Sequence, residues 1–116
     1  MKDIIYADFV ESLAKRIDGG TLDLVHYAIG ACGEAGELSD PIKKHWAYEQ
    51  ELDVENVIEE LGDLEFYMQA IRNRLKITRE QVLEYNIDKL MERYPAGVFT
   101  TQHATERADK LPEKPF

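Results

Sequence analysis

Two pairs of acidic residues have a spacing from which a shared metal site can be built. Glu34 and Glu37 form the first pair, and Glu60 and Asp63 form the second. This separation puts both carboxylates of a pair on one face of an α-helix. Carboxylates brought together from two helices repel one another, by roughly 3 kcal/mol for two charges ~5 Å apart at an effective dielectric constant of about 20. An oxygen-rich acidic cluster is also the donor set that Mg²⁺ or Mn²⁺ requires, so we predict a divalent-metal site.

Each acidic pair holds the same position relative to an apolar stripe of its predicted helix. The stripes are Leu24, Ala28, Ala31, Ala35, Leu38 and Ile42 in one helix, and Val57, Leu61, Leu64, Met68, Ile71 and Leu75 in the next. Because a helix turns roughly 100° per residue, acidic residues one position before stripe residues are expected beside the buried seam. Antiparallel packing would then bring four carboxylates together. The alternative is that both pairs are solvated faces of acidic helices.

A further predicted helix carries polar and basic residues at the corresponding position. Its apolar stripe is Leu83, Ile87, Leu90 and Tyr94. Asn86, Lys89 and Arg93 each come one position before a stripe residue. Arginine makes bidentate contacts with phosphate oxygens and lysine acts as a point charge, so these residues predict a phosphate site facing the metal. The alternative is that Lys89 and Arg93 only pair with surface acids.

The composition restricts the class of protein. A chain of 116 residues suits one domain with one core, and the net charge of −9 argues against partners such as nucleic-acid polymers or anionic membranes. The single cysteine, Cys32, allows no intrachain disulfide and fits the reducing cytoplasm, where we expect this protein. The charged start of the chain predicts no signal peptide, and no apolar run approaches the ~20 residues of a membrane span.

The apolar periodicity predicts an all-α fold, a bundle of the four-helix type. The helices are expected over about 6–17, 21–40, 53–75 and 78–94. We expect residues 1–97 to form a single helical domain and residues 98–116 to form an irregular C-terminal tail. No strand series is predicted, which places the chain among helical bundles.

Local signals mark several of these helix ends. Asp40-Pro41 is expected to end or kink the second helix, with a short helix following over 42–48. Asp53 is the predicted N-cap of the third helix. The fourth helix is expected to begin with a capping box formed by Thr78 and Gln81.

Three segments of the chain together resemble a known family. They read GEAGEL at 33–38, EELGDL at 59–64 and NIDKLMERYP at 86–95, and the lysines that follow the first segment at 43–44 are similar too. In these segments the chain resembles the MazG-type, all-α nucleotide pyrophosphohydrolases, over roughly residues 20–97. Members of that family hydrolyse nucleoside triphosphates to monophosphate and pyrophosphate with Mg²⁺.

The resemblance implies a role for each matching residue. It carries Glu34, Glu37, Glu60 and Asp63 over as metal ligands, and Lys89 and Arg93 as phosphate contacts. Asn86 in the third segment and Lys43 after the first are further candidates for binding phosphate. Glu59 is implied as an additional ligand or as a group behind the ligands. The resemblance also implies a homodimer or homotetramer. After residue 97 the chain departs from the family pattern, and there Arg107 is only a possible phosphate contact.

A mechanism follows from these assignments. A metal at the acidic cluster would neutralise and orient the triphosphate and activate water for attack on the α-phosphorus, and pyrophosphate would leave. Glu37 and Glu59 are both candidates for the catalytic base, and the sequence does not choose between them. His26 and Trp46 are the preferred candidates for stacking on the base of the nucleotide, although such aromatic side chains more often belong to a core or an interface.

Two other functions remain open on the sequence. One is a non-enzymatic acidic helical oligomer that binds a protein partner, which explains the charge and the heptads but not the matched positions of the acidic and basic residues. The other is a pyrophosphatase restricted to phosphoribosyl-ATP, dUTP or dCTP. Nothing in the sequence ranks the bases, or ribose against deoxyribose.

Overall fold

The structure is a computed structural model that describes residues 5–110. Within that range the regular elements are all helical, which confirms the predicted all-α class. They are α1 (Tyr6–Leu13), α2 (Thr21–Ala47), α3 (Val54–Leu75), α4 (Arg79–Arg93), α5 (Thr101–Glu106) and a 3₁₀ turn, η1 (Ala108–Lys110). No helix in this part of the chain combines the length and the apolar character needed to cross a membrane.

The chain divides into two compact units, Met1–Ile77 and Thr78–Phe116. In the first unit, α2 and α3 pack against each other over most of their length. Their direction is antiparallel, because Arg74 near the end of α3 lies beside Asp23 at the start of α2, whereas Glu60 lies beside Glu34 further along. This antiparallel pair is the framework that positions the acidic residues.

Helix α1 and the loop after it are held to this framework by polar contacts. The Asn73 side chain donates to the carbonyl oxygen of Ala7 at 2.8 Å, and Val10 of α1 is buried against Tyr27 and Ala70. Buried Asp23 accepts hydrogen bonds from the loop, including one of 2.6 Å from the amide of Ile17. The helix predicted to reach residue 17 ends at Leu13 instead, since this loop backbone bonds to a side chain of α2.

The capping predictions are confirmed, and the prediction that α2 could end at Asp40-Pro41, with a separate short helix after it, is wrong. Asp53 accepts from the amide of Asn56 at 3.0 Å, and Thr78 and Gln81 exchange both bonds of a capping box. Helix α2 continues through Pro41 to Ala47. Pro41 lacks an N–H group and so removes one helical hydrogen bond. The residue is buried, and the helix continues past it.

The predicted buried seams are offset by one residue from the observed packing face. Six of their members are exposed: Ala28, Ala35, Ile42, Leu61, Met68 and Leu75. Tyr27 is buried in the core, and Gly30 faces the ring of Tyr67. Alanines gain little from burial, whereas a tyrosine ring gains much, so the aromatic residues determine which face packs. Consequently Glu34 and Glu60 lie at the contact between the helices.

The second unit consists of α4, α5 and η1. Leu83, Ile87 and Leu90, the predicted stripe of α4 before Tyr94, are exposed, and no residue of this helix is buried. The segment expected to be an irregular tail contains α5 and η1 within its described part. The side chain of Thr100 caps α5 by accepting from the amide of His103 at 3.0 Å. Residues 111–116 of that tail lie outside the described residues.

Candidate metal and nucleotide site

Three carboxylates from α2 and α3 converge at the contact between these helices. Glu34, Glu60 and Asp63 each offer one ligand atom, and these three atoms lie within 4.8 Å of one another. The i, i+3 spacing in α3 puts Glu60 and Asp63 on one face, and the antiparallel packing adds Glu34 from α2. Glu34 and Glu60 are half-buried and Asp63 is exposed, so the cluster is open to solvent on one side.

The surroundings of Glu60 disfavour its negative charge unless a cation is bound beside it. Its Oε2 atom is buried and has no hydrogen-bond partner in the structure. Burial raises the pKa of Glu60, and the Glu34 carboxyl and the charges of Asp63 and Glu37 raise it further. Two ionised carboxylates have no proton to share, so Glu34 and Glu60 meet favourably only if one is protonated or a cation lies between them. This donor set fits a hard divalent ion.

The remaining acidic candidates lie at the edge of this cluster. Glu37 is exposed and does not join the three-carboxylate group, although its charge contributes to the raised pKa of Glu60. Glu59 is also exposed. The proposed roles of both as ligand or base stay predictions.

Aromatic rings adjoin the carboxylates on both helices. Tyr67 lies one turn after Asp63, and its ring packs directly on Gly30, which lies one turn before Glu34. A Cβ atom at Gly30 would come within 2.5 Å of that ring. His26 makes an edge contact with the same ring, with centroids 6.1 Å apart. The base-binding candidate His26 therefore lies about two helical turns before Glu34 on α2 and contacts a ring that lies one turn after Asp63 on α3.

The other candidates from the first unit lie at the far end of α2. Trp46 is 82% exposed. Lys43 is exposed, and its ammonium group lies 5.9 Å from the centroid of the Tyr48 ring. Their roles in binding the base and the phosphates stay predictions.

The phosphate-binding candidates of the second unit share a face of α4. Asn86 is exposed and Lys89 is half-buried. The guanidinium of Arg93 donates two hydrogen bonds to Asp109, from Nε at 2.8 Å and from Nη2 at 3.0 Å. Arg107, the possible phosphate contact in the tail, is exposed and ends α5 with a left-handed backbone.

Sequence reasoning missed Asp109, which is only 7% exposed. It comes sixteen positions after Arg93, too far for a helical spacing rule to connect the two residues. The one available signal was its place among charged residues in a segment without periodicity. A pairing of this kind depends on how the chain returns along α4, which local patterns do not specify.

Taken together, the helical fold and the acidic cluster define an all-α protein with a carboxylate site suited to a divalent metal. The family model of the MazG nucleotide pyrophosphohydrolase domain matches residues 24–98, well over half of the chain. The chain therefore belongs to the MazG nucleotide pyrophosphohydrolase family, whose members are hydrolases acting on phosphoric anhydrides. That family is generally metal-dependent, in agreement with the cluster. Neither the curated proteins nor the solved structures gave a match.

Proposed function

We propose that this protein hydrolyses nucleoside or deoxynucleoside triphosphates to the monophosphate and pyrophosphate, with Mg²⁺ as the metal and Mn²⁺ as a possible substitute. The observation that carries this proposal is the cluster of Glu34, Glu60 and Asp63, with the buried and unpartnered Oε2 of Glu60 at its centre. A buried carboxylate oxygen without a donor is costly unless a cation meets it. Family membership supplies the reaction class.

The residues of the site take separate roles in this reaction. Glu34, Glu60 and Asp63 hold the metal, with Glu37 as a fourth ligand or as a base. The bound ion would supply charge neutralisation of the phosphates and activation of water. Glu59 is exposed beside the cluster and is the other candidate to accept the proton.

The basic and aromatic residues complete the assignment. Lys89, Arg93 and Asn86 on α4, together with Lys43, bind phosphate oxygens and stabilise the charge of the leaving pyrophosphate. His26 is the candidate for stacking on the base, and its edge contact with Tyr67, which lies one helical turn after Asp63, supports this assignment. Trp46, with its exposed ring, is the second candidate.

We also propose that the active form is a homodimer or homotetramer in the cytoplasm. Large apolar side chains of α2 and α3, such as Ile29 at 67% and Ile58 at 65% exposure, are typical of surfaces that meet a partner. The exposed and unpaired Cys32 supports a reducing compartment.

A panel of ribonucleoside and deoxyribonucleoside triphosphates tests this function. Phosphoribosyl-ATP, dUTP and dCTP belong in the panel, since a restricted specificity is the leading variant of the proposal. We expect pyrophosphate and monophosphate in equal amounts with Mg²⁺ and no product in EDTA. Full activity in EDTA would exclude the metal role, and the absence of turnover on the whole panel would favour a non-enzymatic acidic oligomer.

A further inference from the structure

Arg93 and Asp109 form a doubly hydrogen-bonded ion pair in the second unit. Both oxygens of the carboxylate accept, one from Nε at 2.8 Å and the other from Nη2 at 3.0 Å. The side chain of Asp109 is 1% exposed and that of Arg93 is 16% exposed. A bidentate pair of this kind fixes the plane of the guanidinium as well as its position.

The pair leaves part of the guanidinium available. Arginine carries five N–H donors. Asp109 takes one on Nε and one on Nη2, and the side chain of Tyr94 is a further hydrogen-bond partner of Arg93. At least two donors of Nη1 and Nη2 remain beyond these contacts, on the edge of the guanidinium that faces away from the carboxylate. That edge can form the bidentate contact that phosphate oxygens prefer.

The segment that positions Asp109 beside Arg93, α5 and η1, is held by local hydrogen bonds. Thr100 caps α5, the amide of Arg107 donates to the carbonyl oxygen of His103 at 3.0 Å, and the amide of Lys110 donates to the carbonyl oxygen of Arg107 at 2.8 Å. These local bonds hold the chain around η1, so the carboxylate is not at the end of a free strand of chain. The guanidinium, in turn, holds the pKa of Asp109 at about 2, well below its ordinary range, which keeps the carboxylate charged.

We propose that Asp109 is a positioning residue for Arg93: it holds one edge of the guanidinium so that the other edge is oriented for the phosphates of the substrate. This inference rests on the proposed function, because Arg93 needs orientation only if it binds phosphate. An arginine without such a partner occupies many rotamers and must be ordered by the substrate itself.

The opposite role for the same pair is an intramolecular block. In that case Asp109 occupies the guanidinium as a substitute for phosphate, and substrate must displace it. The two roles predict changes of opposite sign when the carboxylate is removed, so one measurement separates them.

The test is calorimetric titration of an α,β-imido nucleoside triphosphate, carrying the base preferred in the panel, in Mg²⁺. The proteins are wild type, Asp109→Asn, Asp109→Glu, Arg93→Ala and the double variant Arg93→Ala/Asp109→Asn. Glu84→Gln, which removes an exposed charge from α4, is the matched control. Circular dichroism establishes that each variant is folded, and Asp109→Ser, which also removes the carboxylate, replaces Asp109→Asn if the latter is not.

We expect Asp109→Asn to weaken binding by about tenfold or more, the effect of losing one charge-assisted hydrogen bond. Asp109→Glu should recover part of the affinity because it restores the charge. In the Arg93→Ala background, the Asp109→Asn change should alter the affinity by less than about twofold, since the group that it positions is gone. The KM for the preferred nucleotide should rise in parallel with the dissociation constant of the analogue.

Several results would overturn the inference. Tighter binding by Asp109→Asn would establish the block instead, and equal losses from Asp109→Asn with and without Arg93 would mean that Asp109 acts elsewhere. If Arg93→Ala weakens binding and Asp109→Asn does not, the inference alone fails and the proposed function stands. If wild type binds no nucleoside triphosphate, the proposed function fails and takes this inference with it.

Discussion

Glu60 is both partly buried and part of the proposed metal site. It is half-buried between α2 and α3, it faces Glu34 and Asp63, and its Oε2 has no hydrogen-bond partner. A protein that bound no cation would gain stability by replacing such a group with an uncharged one. The presence of this carboxylate is therefore explained if it binds a cation.

Replacing Glu60 with glutamine should stabilise the metal-free protein. A carboxyl whose folded pKa is raised contributes stability below its ordinary pKa and loses that contribution as the pH rises through the raised value. At neutral pH the ionised Glu60 is therefore unfavourable, and Glu60→Gln should raise the free energy of unfolding in EDTA while removing the stabilisation by Mg²⁺. Urea denaturation of wild type, Glu60→Gln and the exposed-loop control Glu51→Gln, with and without Mg²⁺, measures both effects.

Sequence spacing predicted some residues of the site and not others. The sequence predicted a cluster of four carboxylates, from i, i+3 spacing within each helix and the matched position of the two pairs beside their apolar stripes. In the structure Glu34, Glu60 and Asp63 lie together, and Glu37 does not join them. The stripes predicted these residues beside the buried seam, whereas Glu34 and Glu60 are half-buried at the helix contact itself. Asp109 was missed because its partner lies sixteen positions away in the sequence.

At the scale of the elements, the close approach of α2 and α3 depends on Gly30. The ring of Tyr67 occupies the space that a Cβ atom would need. Gly30→Ala should therefore destabilise the protein by about 1–3 kcal/mol, the usual effect of overpacking. Gly33→Ala, one turn along the same helix with nothing within 4 Å, should instead be neutral or stabilising by up to ~1 kcal/mol.

Thermal or urea denaturation of the two alanine variants makes this comparison. Loss of stability in both would mean that α2 tolerates no side chain on either face. Loss in neither would mean that the ring of Tyr67 moves aside without cost, and the tight packing beside the acidic cluster would not be required.

The ion pair of the second unit should give a pH-dependent contribution in acid. The folded pKa of Asp109 is depressed from 3.8 to about 2. A depressed carboxyl contributes stability above its unfolded pKa and loses it as the pH falls through the folded value. The difference in unfolding free energy between wild type and Asp109→Asn should thus be constant above about pH 4 and shrink between about pH 4 and pH 2. Denaturation at a series of pH values measures it, and a pH-independent difference would contradict the pairing.

Helix ends differ in how far the sequence determines them. Asp53 and the Thr78–Gln81 capping box act within four residues, and both were predicted correctly. The end of α1 depends on Asp23, which bonds to the loop backbone from another helix. Tertiary contacts of that kind override local periodicity, so the first helix is shorter than its pattern suggested.

At the scale of the whole molecule, exposed apolar side chains predict self-association. Val54, Ile58 and Leu61 form an exposed apolar row on α3, and Leu22, Val25 and Ile29 form another on α2. Sedimentation velocity of wild type at micromolar concentration should therefore give a dimer or tetramer. Ile58→Glu should shift the distribution towards monomer, and Gln50→Glu, a charge added in the exposed loop before α3, should not. A monomeric wild type would contradict the proposed assembly.

The central claim is that the acidic cluster holds the metal for pyrophosphate release, and the rate of the Asp63→Asn variant tests it most directly. Asp63 is exposed, so its replacement removes a ligand without disturbing the core. We predict that Asp63→Asn lowers the rate of pyrophosphate release by at least about a hundredfold with saturating Mg²⁺ and the preferred nucleotide, while Glu51→Gln stays within about twofold of wild type. Comparable rates for Asp63→Asn and Glu51→Gln would contradict the account, because the cluster would then not be the site of the reaction.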